Sequence, residues 1–126
     1  MQVDADDGTE GGAVVSEITT ETPECLFLPY YTGKEYDLDP IRVILYDYGN
    51  ERGRMIVVEC FGDAYSHYWG AMGKQTVREF VTTCGDDYLV DKLMPSRVYG
   101  TRQAKHCELH LRRIVRRVRE ALRAQP

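Results

Sequence analysis

The chain has 126 residues, 43% hydrophobic and 29% charged, which are the proportions of an ordinary globular protein, and nine tyrosines are its one compositional excess. Its formal net charge of -4 conceals a polarised sequence: residues 1–24 hold seven acids and no Lys or Arg, whereas residues 97–126 hold nine bases against Glu108 and Glu120. There is no stretch near the roughly 20 apolar residues of a membrane span, no basic and apolar leader, and no Cys-x-x-Cys pair among the cysteines at 25, 60, 84 and 107, so membrane insertion and secretion are not expected. The cysteines read as reduced core thiols of a protein in the cytoplasm.

The opening MQVDADDGTEGG is acidic and glycine-rich with almost nothing to bury, so ordering it would cost entropy without compensating contacts. Residues 1–24 are therefore predicted to be a disordered acidic tail, and residues 25–126 a single α+β domain. Within the tail, β-branched residues 13–20 are a candidate edge strand. The segment CLFLPYYTG reads as extended chain pinned to a core by Leu26, Phe27 and Leu28.

Residues 41–48 (IRVILYDY) and 55–61 (MIVVECF) flank a polar connection of hairpin length, and Gly62-Asp63 supplies a second turn into residues 64–69. The expected sheet is an antiparallel three-stranded meander, four-stranded if another segment joins it. Thr76 followed by Glu79 forms a capping-box pattern ahead of a short helix that Gly85 should stop, and Asp86 is placed to cap a second short helix ending before Pro95. Residues 95–101 read as a loop.

In the last segment Leu111, Ile114, Val115, Val118, Ala121 and Leu122 recur at the spacing of one helical face, which predicts a long amphipathic helix docked on the sheet. At about 100° per residue, Arg112, Arg116, Arg119 and Arg123 fall near the opposite side, with Arg113 and Arg117 on its flank. Such a row can track phosphates; it can equally be a solvated helix face. Leu109 projects near the same row, as a protein contact would favour.

On the third strand, Tyr65, His67 and Trp69 share one side and Tyr68 takes the other. If the Trp69 side is exposed, it offers with Tyr46 or Tyr48 an aromatic platform for bases or for a protein partner. The alternative is that these rings fill the core. His106, Cys107 and His110 have spacing that can converge on a metal, but no further ligand is evident, so they read as packing residues. Cys84 at a helix C-terminus is a poor nucleophile, and no phosphate-cradling glycine loop is present. The reading is a non-enzymatic protein without metal or cofactor.

Residues 59–94, ECFGDAYSHYWGAMGKQTVREFVTTCGDDYLVDKLM, resemble small accessory proteins of temperate phages and prophages. The resemblance rests on Cys60-Phe61-Gly62, on Trp69-Gly70-Ala71-Met72-Gly73, on Phe80 and on Tyr88-Leu89. It implies a phage context, in which such proteins often act by stoichiometric binding to host machinery or nucleic acid. Together these features lead to the expectation of a phage protein in the bacterial cytoplasm that binds a host protein, with inhibition of a defence system such as CRISPR as its sharper form. Arg112, Arg113, Arg116, Arg119, Arg123, Tyr65, His67 and Trp69 are the expected contacts, and the acidic tail either shields the helix or mimics nucleic acid. The alternative is nucleic-acid binding through the arginine-rich helix.

Overall fold

A computed structural model describes residues 17–48, 53–95 and 100–125. Most of the acidic tail, the connection after Tyr48 and most of the loop after Pro95 lie outside the described residues. Glu17 to Pro23 have no regular structure, and the first strand begins at Glu24.

The elements in order are β1 (Glu24–Leu28), β2 (Tyr31–Thr32), β3 (Asp37–Leu38), β4 (Ile41–Tyr48), β5 (Gly53–Cys60), β6 (Asp63–Trp69), α1 (Val77–Thr83), α2 (Asp86–Leu93) and α3 (Thr101–Ala124). Strands β1, β4, β5 and β6 form a four-stranded antiparallel sheet in that order, while β2 and β3 make a separate two-stranded ribbon. The expected α+β class, the β4-β5-β6 meander and the long C-terminal helix are all present; the fourth strand is the Glu24–Leu28 segment. The small ribbon is an addition.

Strict alternation on the strands gives the sheet two unlike faces. Ile41, Val43 and Leu45 of β4, Ile56, Val58 and Cys60 of β5, and Tyr65 of β6 point to one side, where they join Val77, Val81, Leu89, Val90 and Leu93 of the short helices and Leu111, Ile114, Val115, Val118 and Leu122 of α3 in one core. The same alternation corrects two expectations about β1. Leu26 and Leu28 pair with Val43 and Ile41 and so face the core, which turns Cys25 and Phe27 outward: both are exposed rather than buried.

The turns follow local chemistry. Thr76 and Glu79 make both bonds of the capping box, the Glu79 N–H donating to Thr76 Oγ1 at 3.1 Å and the Thr76 N–H to Glu79 Oε1 at 3.0 Å. Helix α2 departs from expectation, because Gly85 is the N-cap and Asp86 the first helical residue. Asp86 does not cap its own helix because its carboxylate is held by arginines of α3. At the other end of the sheet, Arg54 is buried beside Asp47 at 2.8 Å and donates to the carbonyls of Gln75 (2.8 Å), Tyr48 (3.2 Å), Gly53 (2.8 Å) and Gly73 (3.2 Å). Asp47 also accepts from the Val77 N–H at 2.8 Å, so this pair fastens the start of α1 to the sheet.

Candidate protein-contact surface

The side of the sheet opposite the helices carries Cys25 and Phe27 of β1, Arg42, Ile44, Tyr46 and Tyr48 of β4, Met55, Val57 and Glu59 of β5, and Ala64, Ser66 and Tyr68 of β6. No described element covers it. Phe27 and Tyr68 are 56% and 50% exposed, and the central Ile44, Tyr46, Tyr48, Met55 and Val57 are half-buried. Tyr46 stacks on Tyr48 at 4.5 Å between ring centroids, and Tyr48 meets the edge of Tyr68 at 5.4 Å. A β-carbon on Gly53 would lie 2.6 Å from the Tyr68 hydroxyl, so glycine there lets Tyr68 lie down against the strand. The charged members are Arg42 and Glu59, directly opposed in register with a 3.7 Å contact, and Arg42 also lies over the Phe27 ring at 5.0 Å. A shallow depression of about 230 Å³ opens here between Cys25, Phe27, Arg42 and Ile44.

The Trp69 side of β6 is the covered side. Tyr65 is buried in the core, where desolvation raises its phenol pKa. His67 meets Trp69 edge-on at 4.7 Å; Trp69 packs on Phe80 at 5.2 Å and its Nε1 donates to Tyr88 Oη at 3.0 Å. These rings join β6 to the short helices, so an exposed platform made of Trp69 with Tyr46 or Tyr48 is excluded by register: the two tyrosines lie on the opposite face. Burial also lowers the His67 pKa, and Lys92 adds to the shift.

The arginine row is open only in part, at Arg116 and Arg123. Arg119 is 7% exposed; its Nε donates to the Val81 carbonyl at 3.0 Å and its guanidinium pairs with Asp86, closing the last turn of α1 onto the first turn of α2. Arg116 lies 3.7 Å from Asp86, and Arg112 pairs with Asp87 and with Glu108 at 3.0 Å. On the other flank Arg113 and Arg117 lie over Tyr36 and Tyr31 of the ribbon, at 4.5 and 5.2 Å from the ring centroids. Arg123 is exposed and has no ion pair among the described residues. Helix α3 sits between the short helices and the ribbon, so its contact arc is wider than its apolar stripe. That is why residues placed opposite the stripe by periodicity still find partners.

Burial raises the thiol pKa of Cys60, Cys84 and Cys107, for Cys84 against the opposing effect of Arg119 and Arg123, which keeps these thiols protonated. His106, Cys107 and His110 border a cleft with Asp63, Tyr65 and Gln103, and no group of three potential metal ligands is close enough to hold an ion among the described residues. No described helix is long and apolar enough to cross a membrane. Sequence reasoning missed Arg54, whose signal lay in strand parity, since it is in phase with Ile56 and Val58; parity also separates Tyr68 from Tyr65, but which of the two sides the helices cover is not written in it.

Neither curated proteins nor solved structures include a match to the chain. A family model described as a phage family, Phage_phiTE_072, matches residues 17–121, a span that takes in every described strand and both short helices and runs through most of α3. The chain therefore belongs to this phage protein family.

Proposed function

We propose that this phage-family protein is a non-enzymatic binding protein that engages a protein of the bacterial host stoichiometrically through the uncovered face of its sheet. The observation that carries this reading is the composition of that face. Phe27, Ile44, Tyr46, Tyr48, Met55, Val57 and Tyr68 form a continuous apolar and aromatic surface whose one opposed charge pair is Arg42 with Glu59. Aromatic residues and methionine mark the centre of protein interfaces, and a patch of this kind left in water is a standing cost unless a partner covers it. Interference with a defence system such as CRISPR is the specific form we favour, because a phage protein without catalytic machinery acts on such a system by occupying one of its surfaces.

Nucleic acid is the less favoured partner. Binding single strands needs cations along the backbone path and rings for the bases on the same surface. Here the exposed-face rings Tyr46, Tyr48 and Tyr68 lie on one side of the sheet, and the arginines of α3 lie on the other, where Arg112, Arg116 and Arg119 are engaged by carboxylates. The test is capture from nuclease-treated host lysate, followed by native mass spectrometry of the recovered complex. A discrete protein in a fixed ratio to this chain supports the reading. Recovery only of nuclease-sensitive material, lost steeply with added salt, would instead favour nucleic acid.

A further inference from the structure

Strand β1 is at the end of the sheet and pairs only with β4 among the described strands, so among the described residues its outer edge carries backbone N–H and C=O groups with no strand partner. Beside it lies a groove of about 440 Å³. The consecutive residues Cys25 to Pro29 line one wall, which makes that wall the strand's edge rather than one of its faces; Arg117, Ala121, Ala124 and Gln125 of α3 line the other. The small side chains of Ala121 and Ala124 leave width for a backbone. Arg78 bridges Glu24 and Gln125 and so fixes the separation of the two walls at one end. Toward the other end, Arg117 has no carboxylate partner among the described residues; it rests on Tyr31, and its Nε is buried without a hydrogen bond.

We infer that this groove accepts an extended, acidic peptide segment of a partner protein as a fifth strand of the sheet. Strand addition satisfies the outer edge of β1 with main-chain hydrogen bonds, and alternation then dictates which side chains fit. Those turned toward α3 meet Ala121, Ala124 and Arg117, so they are small, with a carboxylate reaching the guanidinium. Those turned the other way continue the row of Cys25 and Phe27, so they are apolar. This surface rests on the sheet edge and α3, and it stands or falls separately from the face proposed above.

The experiment is selection of a displayed library of random peptides, about a dozen residues long, against the full chain, followed by fluorescence anisotropy and amide exchange with the enriched peptides. Enriched sequences alternate apolar with polar residues and include an acid, and they slow exchange at Glu24–Leu28. Ala124→Trp, which fills the groove from an exposed position, weakens them about tenfold or more, a loss of about 1.4 kcal/mol. Arg117→Glu, confirmed folded by its melting curve, shifts the preference to basic peptides. Failure to enrich any peptide, enrichment of sequences without acids, or affinities unmoved by Ala124→Trp would overturn the inference. Loss of binding on Tyr68→Glu instead of Ala124→Trp would also overturn it, while supporting the open face.

Discussion

Arg119 bonds a carbonyl of the last turn of α1 with the same guanidinium that pairs with Asp86 at the start of α2, so one side chain holds the corner between two helices that are each too short to be stable alone. Removing Asp86 leaves a buried arginine without its counter-charge, and Asp86→Ala is expected to cost about 3 kcal/mol, read as a lower urea midpoint at unchanged slope. Arg119 is thus a framework residue, and loss of binding in an Arg119 variant says nothing about a contact surface. A second residue-scale effect concerns pH. The folded state holds the His67 pKa below its ordinary 6.5, so the unfolded chain takes up the proton first as pH falls. The contribution is fully present above about 6.5 and is lost as pH drops through that value toward the lower folded-state pKa. Urea midpoints at about pH 7.5 and 5.5 should differ, and His67→Gln should reduce the difference.

The turn from β5 to β6 shows how an element can be legible in the sequence while its cost is not. Gly62 and the flanking alternation identify the hairpin, but the register pairs Cys60 with Asp63, so Phe61 and Gly62 are the two turn residues and both adopt positive φ, 54° and 91°. A phenylalanine in that conformation is strained, and this one is also 81% exposed. Phe61→Asn should stabilise the fold by about 0.5–1 kcal/mol, measured by chemical denaturation, because Asn-Gly suits a two-residue hairpin turn. A Phe61→Asn variant no more stable than the parent would show that the ring is held by contacts the register does not reveal. The start of helix α1 was readable to the residue because its signal is local: the Thr76 and Glu79 side chains act within one turn, whereas its end falls at Thr83 with Cys84 as the C-cap and Gly85 opens α2 instead. Replacing Thr76 by Ala should cost about 1 kcal/mol. The ribbon of β2 and β3 was not readable, since two-residue strands leave no periodicity and their stability comes from Tyr31 and Tyr36 packing against α3.

At the scale of the whole molecule, the class, the meander and the docked C-terminal helix were legible because each is written in period-two or 3.6-residue patterns. The face proposed for contact was not, because choosing which side of β6 faces water requires knowing where three helices sit. Tyr46 or Tyr48 and the helix arginines were candidates for one surface, and the fold places them on opposite sides of the sheet, with Tyr65 in the core between. A similar limit applied to α3: periodicity located the apolar stripe at Leu111 to Leu122, but apart from Glu108, one turn before Arg112, the carboxylates that engage its arginines come from Asp86 and Asp87, about 25–33 residues earlier in the chain.

Host-protein binding is proposed at the sheet face bearing Phe27, Tyr46, Tyr48 and Tyr68. The most direct measurement is the affinity of the captured host protein for Tyr68→Glu and for Arg123→Glu, with the melting temperatures of both variants matched to the parent. Binding through this face predicts that Tyr68→Glu weakens the complex by about 2 kcal/mol or more, the loss typical of an aromatic anchor, and that Arg123→Glu leaves it within about threefold of the parent. Unchanged affinity for Tyr68→Glu together with a large loss for Arg123→Glu would contradict it and move the contact to the arginine helix.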